Sequence, residues 1–314
     1  MRTVWMEGGM VCLLDQSLLP FEEKVIRCSN VEEVADAISS MKVRGAPAIG
    51  VAAAFGMSLA HSAGMELSKA ASLLRSTRPT AVNLEWAVDR VLNSPDPVSE
   101  AGKIEKEDLE ANRLISEHGS SLIRDGDSIL THCNAGFLAT AGEYGTALGV
   151  LKFAHQQGKR IHVYFDETRP RLQGARLTAW ELSKENISHT LICDDMAAYL
   201  MFRKKIDKVL VGADRILAST GSVVNKIGTY SLAVLAKYHS IPLYVAAPST
   251  TIDSKLSSDS GIQIEERSLD EVLKINGAPI SLTGSAVNPS FDITPSSLVT
   301  SVITEKGVFN PNAL

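Results

Sequence analysis

The stretch Thr131-His-Cys-Asn-Ala-Gly136 decides the fold. Ile129-Leu-Thr-His132 reads as a short buried strand and Asn134-Ala-Gly136 as a turn. Gly142 to Gln157 reads as a small-residue helix that Gly158 can cap. Cys133 is then expected at the carboxyl end of a parallel strand, and open α/β sheets bind ligands in the crevice at those ends. The same punctuation recurs downstream. Ile161-His-Val-Tyr-Phe165 runs into Asp166-Glu167, Thr190-Leu-Ile-Cys193 into Asp194-Asp195, Lys208-Val-Leu-Val-Gly212 into Asp214, and Leu243-Tyr-Val-Ala246 into Pro248-Ser-Thr250. Each apolar run ends in groups that do chemistry, so the row of strand ends is read as the rim of an active site.

Working outward, the β-α alternation begins only near residue 127. The 314 residues, 45% of them hydrophobic, are enough for one large core or two moderate ones. The expected class is α/β: a C-terminal Rossmann-like, doubly wound parallel sheet over 126–314, preceded over 1–125 by a smaller, mainly helical domain with a few short strands. The net charge of −5, with no lysine or arginine run, argues against nucleic acid as a partner. No apolar stretch is long enough to span a bilayer, and the first residues lack a signal peptide's basic start and apolar core, so a membrane partner is not expected and the chain is placed in the cytoplasm. Cysteines 12, 28, 133 and 193 show no C-x-x-C spacing, which fits a reducing compartment and leaves the sequon Asn186-Ile-Ser188 without meaning.

In the first half, Thr3-Val-Trp5 and Met10-Val-Cys-Leu-Leu14 read as short strands around a Gly8-Gly9 turn. Asn30 reads as an N-cap with Glu33 three residues on, opening a helix whose Val34, Ala35 and Ile38 share a face. Next comes Val43-Arg-Gly-Ala-Pro-Ala-Ile-Gly50, with Pro47 suited to the first position of a helix from Ala48 to about Ala60. Free N–H groups, a dipole end and the Arg44 guanidinium meet there, a recipe for holding a phosphate or an ordinary helix start. Arg78 lies in a loop, Arg78-Pro-Thr-Ala-Val-Asn83, between helices at Leu67–Leu74 and from about Leu84. A charged amphipathic helix from about Lys103 to Arg124 closes at Asp125-Gly-Asp127.

The second half offers further candidates. Cys133 could be a reactive thiol with its pKa lowered by a nearby helix N-terminus, or a small buried side chain, the reading adopted for Cys193. Asp214 could be a desolvated acid suited to proton transfer, or a helix N-cap. Gln173 could bind sugar hydroxyls or lie exposed, and Asn225 and Lys226 could hold a hydroxyl and a phosphate or sit in a solvated loop. Strand alternation would point His132 away from Cys133. There is no G-x-G-x-x-G after a strand, no G-x-x-x-x-G-K-[ST], no H-E-x-x-H and no paired C-x-x-C. No cofactor and no metal are therefore expected, and the set suits proton shuffling on a small phosphorylated polyol.

Long blocks of the chain resemble the methylthioribose-1-phosphate isomerase family of methionine salvage. They are Arg44-Gly-Ala-Pro-Ala-Ile-Gly50, Thr131 to Gly136 with Gly142-Glu-Tyr-Gly-Thr-Ala-Leu-Gly149, Asp166 to Glu181, Gly212-Ala-Asp-Arg215, Asn225-Lys-Ile-Gly-Thr-Tyr230, Asn288 to Pro295 and Ile303 to Gly307. That family is grouped with the α, β and δ regulatory subunits of translation initiation factor 2B and with ribose-1,5-bisphosphate isomerase. The resemblance implies a catalytic pair, Cys133 and Asp214, with Arg44, Gly45, Ala46, Arg78, Gln173, Asn225 and Lys226 around a small-molecule sugar-phosphate substrate. It also implies a homodimer, to which the apolar helix from Tyr230 to Tyr238 could contribute unless that stripe is core. One departure is visible: Ser219-Thr-Gly-Ser-Val-Val224 replaces an expected Asn-Gly-Asp type of turn and is about one residue longer. Ribose-1,5-bisphosphate isomerase and a non-catalytic regulatory subunit are the alternatives.

Overall fold

The order of strands in the central sheet explains where its crevice lies. The structure, a computed structural model, describes residues 1–78, 81–275 and 277–313; Pro79 and Thr80, from the loop read above as Arg78 to Asn83, lie outside them. The first half runs β1 (Val4–Glu7), β2 (Met10–Leu14), β3 (Val25–Cys28), α1 (Val31–Ser39), α2 (Ala46–Ser62), α3 (Leu67–Thr77), α4 (Val82–Leu92) and α5 (Pro97–Ser120). The sheet region follows with β4 (Ser128–Thr131), α6 (Ala147–Gln156), β5 (His162–Asp166), α7 (Ala179–Lys184), β6 (Ser188–Ile192), α8 (Ala197–Phe202), β7 (Lys208–Val211), β8 (Arg215–Leu217), β9 (Val223–Lys226), α9 (Thr229–Tyr238) and β10 (Leu243–Ala246). The chain closes with β11 (Ile252–Asp253), α10 (Asp270–Leu273), β12 (Lys274–Ile275), β13 (Ala278–Pro279), β14 (Phe291–Thr294), β15 (Ser301–Thr304) and β16 (Gly307–Phe309).

The large sheet has the order β16-β15-β10-β7-β4-β5-β6, parallel except for the antiparallel edge strand β16. The chain enters at β4, winds outward through β5 and β6, then returns to the other side of β4 at β7 and winds outward again. The winding therefore reverses between β4 and β7, and the carboxyl ends of those two strands flank the crevice such a reversal opens. Both faces are covered, so the strands read as unbroken apolar runs. Alternation sorts their side chains. Ile129, Val163, Phe165 and Leu210 join Leu148 and Leu151 of α6 on one face, while Leu130, Val209, Val211 and Val245 join Leu232, Ala233 and Ala236 of α9 on the other.

The first half buries a core of its own, running from Val4 to Ile104 with Ala141, while the core under α6 begins at Ile115. Helix α5 contributes Ala101 and Ile104 to the first and Ile115 to the second. Helix α2 is buried throughout from Ala46 to Ala60, as a helix apolar on all sides must be. Asn30 does cap α1, accepting from the Glu33 N–H at 2.9 Å.

Three boundaries and one burial differ from the sequence reading. Helix α2 starts at Ala46, which puts Pro47 at its second position, and α5 is opened earlier, by the Asp96 cap, at Pro97. The helix expected from Gly142 begins only at Ala147. Gly142 takes a φ of +140° to pair with Arg2, and Gly145 packs so closely on Gly136 that any Cβ would strike its backbone, so 142–146 folds as a loop. Strand β6 is a sheet edge, and Cys193 beyond it is exposed rather than buried.

Candidate active site

Cys133 stands just past β4 and Asp214 just past β7, one on each side of the reversal. The residues after β4 leave the strand sharply: Cys133 has φ +60°, its N–H donates to Thr168 Oγ1 at 2.9 Å, and its carbonyl accepts from Thr178 Oγ1 at 2.6 Å. Asp214 donates its N–H to the Val224 carbonyl at 2.9 Å and leads into the β8–β9 hairpin, which removes the helix N-cap reading. A single cavity is lined by all nine residues singled out in the sequence: Arg44, Gly45, Ala46, Arg78, Cys133, Gln173, Asp214, Asn225 and Lys226.

Each arrives by a different local device. Arg44 is buried at the amino end of α2, with Nε donating to Gln16 Oε1 and Nη1 to the Asn134 carbonyl, both at 3.0 Å, and Nη2 to the Asn134 side chain. Asn134 is held in turn by Glu181, which also accepts the Phe137 N–H at 2.8 Å and the Leu138 N–H at 3.2 Å. Gly45 has φ +95°, and a Cβ there would come 2.5 Å from the Ala139 Cα, so only glycine lets α2 start this close to the loop after β4. No side chain caps that helix end. Arg78 reaches Glu265 at 3.3 Å, and its Nε is buried with no partner. Gln173 is 5% exposed, and its Oε1 is likewise unpartnered. Asn225 and Lys226 belong to strand β9 and are buried, not a solvated loop, with the Lys226 ammonium 5.6 Å from the Phe291 ring centroid.

The electrostatics favour neutral acids and weakened bases. Burial pushes the Cys133 thiol above its usual pKa, opposed by Arg44 and Lys226, so the expected lowering does not occur; α6, whose start was to supply it, begins at Ala147. Burial also raises the Asp214 carboxyl, against the pull of Arg78, Lys226 and Arg44. Desolvation lowers the Lys226 ammonium. A thiol and a carboxyl that both keep their protons longer than usual, beside cations, form an acid/base pair able to move a proton within a dry pocket.

Other lining residues carried no sequence signal of their own. His132 borders the cavity despite the alternation argument, because the left-handed turn at Cys133 ends the strand there. Its Nδ1 lies 2.9 Å from Asp166 Oδ2 and its Nε2 2.8 Å from the Ile227 carbonyl. With Asp194 these form a close group of possible metal-ligating atoms, but both Asp194 oxygens accept backbone N–H groups, from Thr168 and Arg169. Arg171, Arg267, Ser290 and Phe291 complete the opposite wall. The departure at 219–224 makes its own contacts: Thr220 and Ser222 each donate to Asp259 at 2.8 Å.

An open parallel sheet that gathers a thiol, a carboxyl and several cationic side chains in one cavity at its reversal has the form of a small-molecule enzyme site, and comparison with known proteins gives the family. The chain belongs to the initiation factor 2 subunit family, whose model matches residues 42–311. A methylthioribose-1-phosphate isomerase from Roseiflexus sp. (strain RS-1) is 55% identical, covering 99% of this chain and 95% of its own. Among solved structures, 5-methylthioribose 1-phosphate isomerase from Pyrococcus horikoshii OT3 superposes with a TM-score of 0.90 at 44% identity, covering 99% of this chain and 93% of its own. A chain described as translation initiation factor eIF-2B, subunit delta, from A. fulgidus superposes at 0.87 with 45% identity, covering 99% and 96%.

Proposed function

We propose that this chain is an aldose–ketose isomerase that converts 5-methylthioribose 1-phosphate to 5-methylthioribulose 1-phosphate in methionine salvage, with Cys133 and Asp214 as its acid/base pair. The observation that carries the reading is the placement of thiol and carboxylate on either side of the sheet reversal, in one cavity with Arg44, Arg78, Gln173, Asn225 and Lys226. The names of the Roseiflexus and Pyrococcus relatives point the same way.

The phosphate on C1 stops the sugar ring from opening unaided. One member of the pair protonates the ring oxygen as its bond to C1 breaks; hydrogen passes from C2 to C1, and the C2 hydroxyl gives up its proton as the ketone forms. Atoms are conserved and no redox partner is consumed. The uncapped start of α2, with Gly45, Ala46 and Arg44, takes the phosphate. The unpartnered Gln173 Oε1 accepts from a sugar hydroxyl, and Asn225 and Lys226 complete the polar wall.

We further assign the protein to the cytoplasm as a homodimer, divided into domains near residue 125, a division supported by the separate core of the first half, which a small cluster of Leu14 and Leu19 with Phe137, Leu138, Leu177 and Trp180 joins to the second. Supporting the dimer, α9 buries Leu232, Ala233 and Ala236 but leaves Tyr230, Val234 and Tyr238 exposed, beside exposed Tyr199 and Phe202 of α8. The A. fulgidus name favours a second reading, a non-catalytic regulatory subunit. A coupled assay of the purified chain on methylthioribose 1-phosphate and ribose 1,5-bisphosphate, side by side and without partner proteins, decides among them. Turnover of the first is expected; turnover of neither rules for the regulatory subunit, and preference for the second rules for the bisphosphate isomerase.

A further inference from the structure

Five cationic side chains line the cavity: Arg44, Arg78, Arg171, Lys226 and Arg267. They are not equivalent. Arg44 is bound by amides and a carbonyl, and among the described residues neither it nor Lys226 forms an ion pair. The other three are engaged by two carboxylates from the segment that precedes β14. Glu265 pairs with Arg78 at 3.3 Å and with Arg267 at 2.8 Å. Glu271 pairs with Arg171 at 2.6 Å and with Arg267 at 3.1 Å, and its second oxygen accepts from Asn288 at 3.1 Å. Burial pushes Glu271 upward, but the hydrogen bonds from Arg267, Arg171 and Asn288 outweigh it and hold the carboxyl at about 2, so it is an anion at every working pH.

We propose that Glu271 is a positioning residue for specificity: acting through Arg171 and Arg267, it is the internal counter-anion that lets the cavity take a sugar with one phosphate and turn away a sugar with two. This deepens the isomerase reading and rests on it for the identity of the sugar. With Glu271 in place, the guanidinium groups of Arg171 and Arg267 are already spent on a fixed carboxylate, and a second phosphate entering the cavity would meet that carboxylate's charge. The uncharged methylthio end of the proposed substrate meets no such penalty, and Phe291, which lines the cavity with Arg267, offers it apolar surface. Without the charge of Glu271, Arg171 is released from its ion pair and Arg267 keeps only Glu265, so the two guanidinium groups gain the net positive charge of a second anion site of the fork-like kind that phosphates favour.

The test is the ratio of dissociation constants for ribose 1-phosphate and ribose 1,5-bisphosphate, measured by calorimetry on wild type, Glu271→Gln and Glu271→Asp. Both constants come from the same preparation, so a partly folded sample cancels from the ratio. In Glu271→Gln the ratio should move toward the bisphosphate by about tenfold or more, the change expected when a close, partly buried charge is removed. In Glu271→Asp, which keeps the charge, it should move by less than in Glu271→Gln. A ratio unchanged in Glu271→Gln, or one that shifts equally in both variants, overturns the proposal. Wild-type protein that binds both sugars but isomerises neither methylthioribose 1-phosphate nor the bisphosphate sinks the functional reading and still leaves the ratio to judge Glu271. Protein that binds neither overturns both.

Discussion

The two walls of the cavity are built by opposite means. On the side of α2 and the loop after β4, buried polar groups are joined in one chain: Arg44 to Gln16 and Asn134, Asn134 to Glu181, Glu181 to the Phe137 and Leu138 N–H groups. On the side of residues 265–291, partly exposed side chains are tied by the ion pairs of Glu265 and Glu271. A buried hydrogen-bond chain fixes geometry and is costly to break, because each lost partner strands another polar group away from water. Partly exposed ion pairs add little stability and are readily retuned. Chemistry and phosphate positioning are therefore assigned to the first wall and selectivity to the second.

The comparison breaks most visibly at the thiol. Cys133→Ser keeps the shape of the loop after β4 but removes the titratable thiol, and kcat should fall on the order of a hundred- to ten-thousandfold in the coupled assay with the unfolding curve unchanged. Arg44→Ala comes next: it strands Asn134 and Gln16, and kcat/KM should fall about ten- to a hundredfold, mostly through a raised KM, as a charge-assisted hydrogen bond of roughly 1.5–3 kcal/mol is lost. Gly145→Ala should act on stability, not on selectivity. Its Cβ would strike Gly136, and forcing it in should lower the unfolding free energy by roughly 1–3 kcal/mol, read by urea titration. The smallest effect concerns pH. Burial raises Glu181 to about 7 against the hydrogen bonds that Asn134, Leu138 and Phe137 donate to it, so the folded protein holds a proton that the unfolded chain releases earlier. Its contribution is fully present below the ordinary glutamate range and is lost as pH rises through about 7. Glu181→Gln should flatten that part of the stability profile in thermal unfolding.

The same division governs what could be read from the chain. Parts of the first wall are short sequence blocks with strong local grammar, a strand read as far as His132 and a proline beside the start of a buried alanine-rich helix, whereas the positive φ of Gly45 is seen only in the fold. Periodicity and turn chemistry show such blocks directly, and residues expected at the rim do line one cavity. The second wall has no such grammar. Glu265, Arg267 and Glu271 are ordinary charged residues in a segment of short strands and turns, and only the return of the chain across β9 at β14 brings them opposite Arg78 and Arg171. Loop geometry was similarly hidden. The glycines at 142 and 145 look like parts of a small-residue helix until Arg2 and Gly136, distant or separated by a turn, are seen to need the space. The direction of the Cys133 shift also depended on burial, which neighbours in sequence do not disclose.

The most direct test of the acid/base pairing is the turnover of purified Asp214→Asn on methylthioribose 1-phosphate, with its unfolding curve recorded beside wild type. The substitution keeps size and removes the ionisable proton, so turnover is predicted to drop on the order of a hundred- to ten-thousandfold while unfolding stays put. Turnover near that of wild type would contradict the assignment of Asp214, and with it the claim that the sheet reversal houses the chemistry.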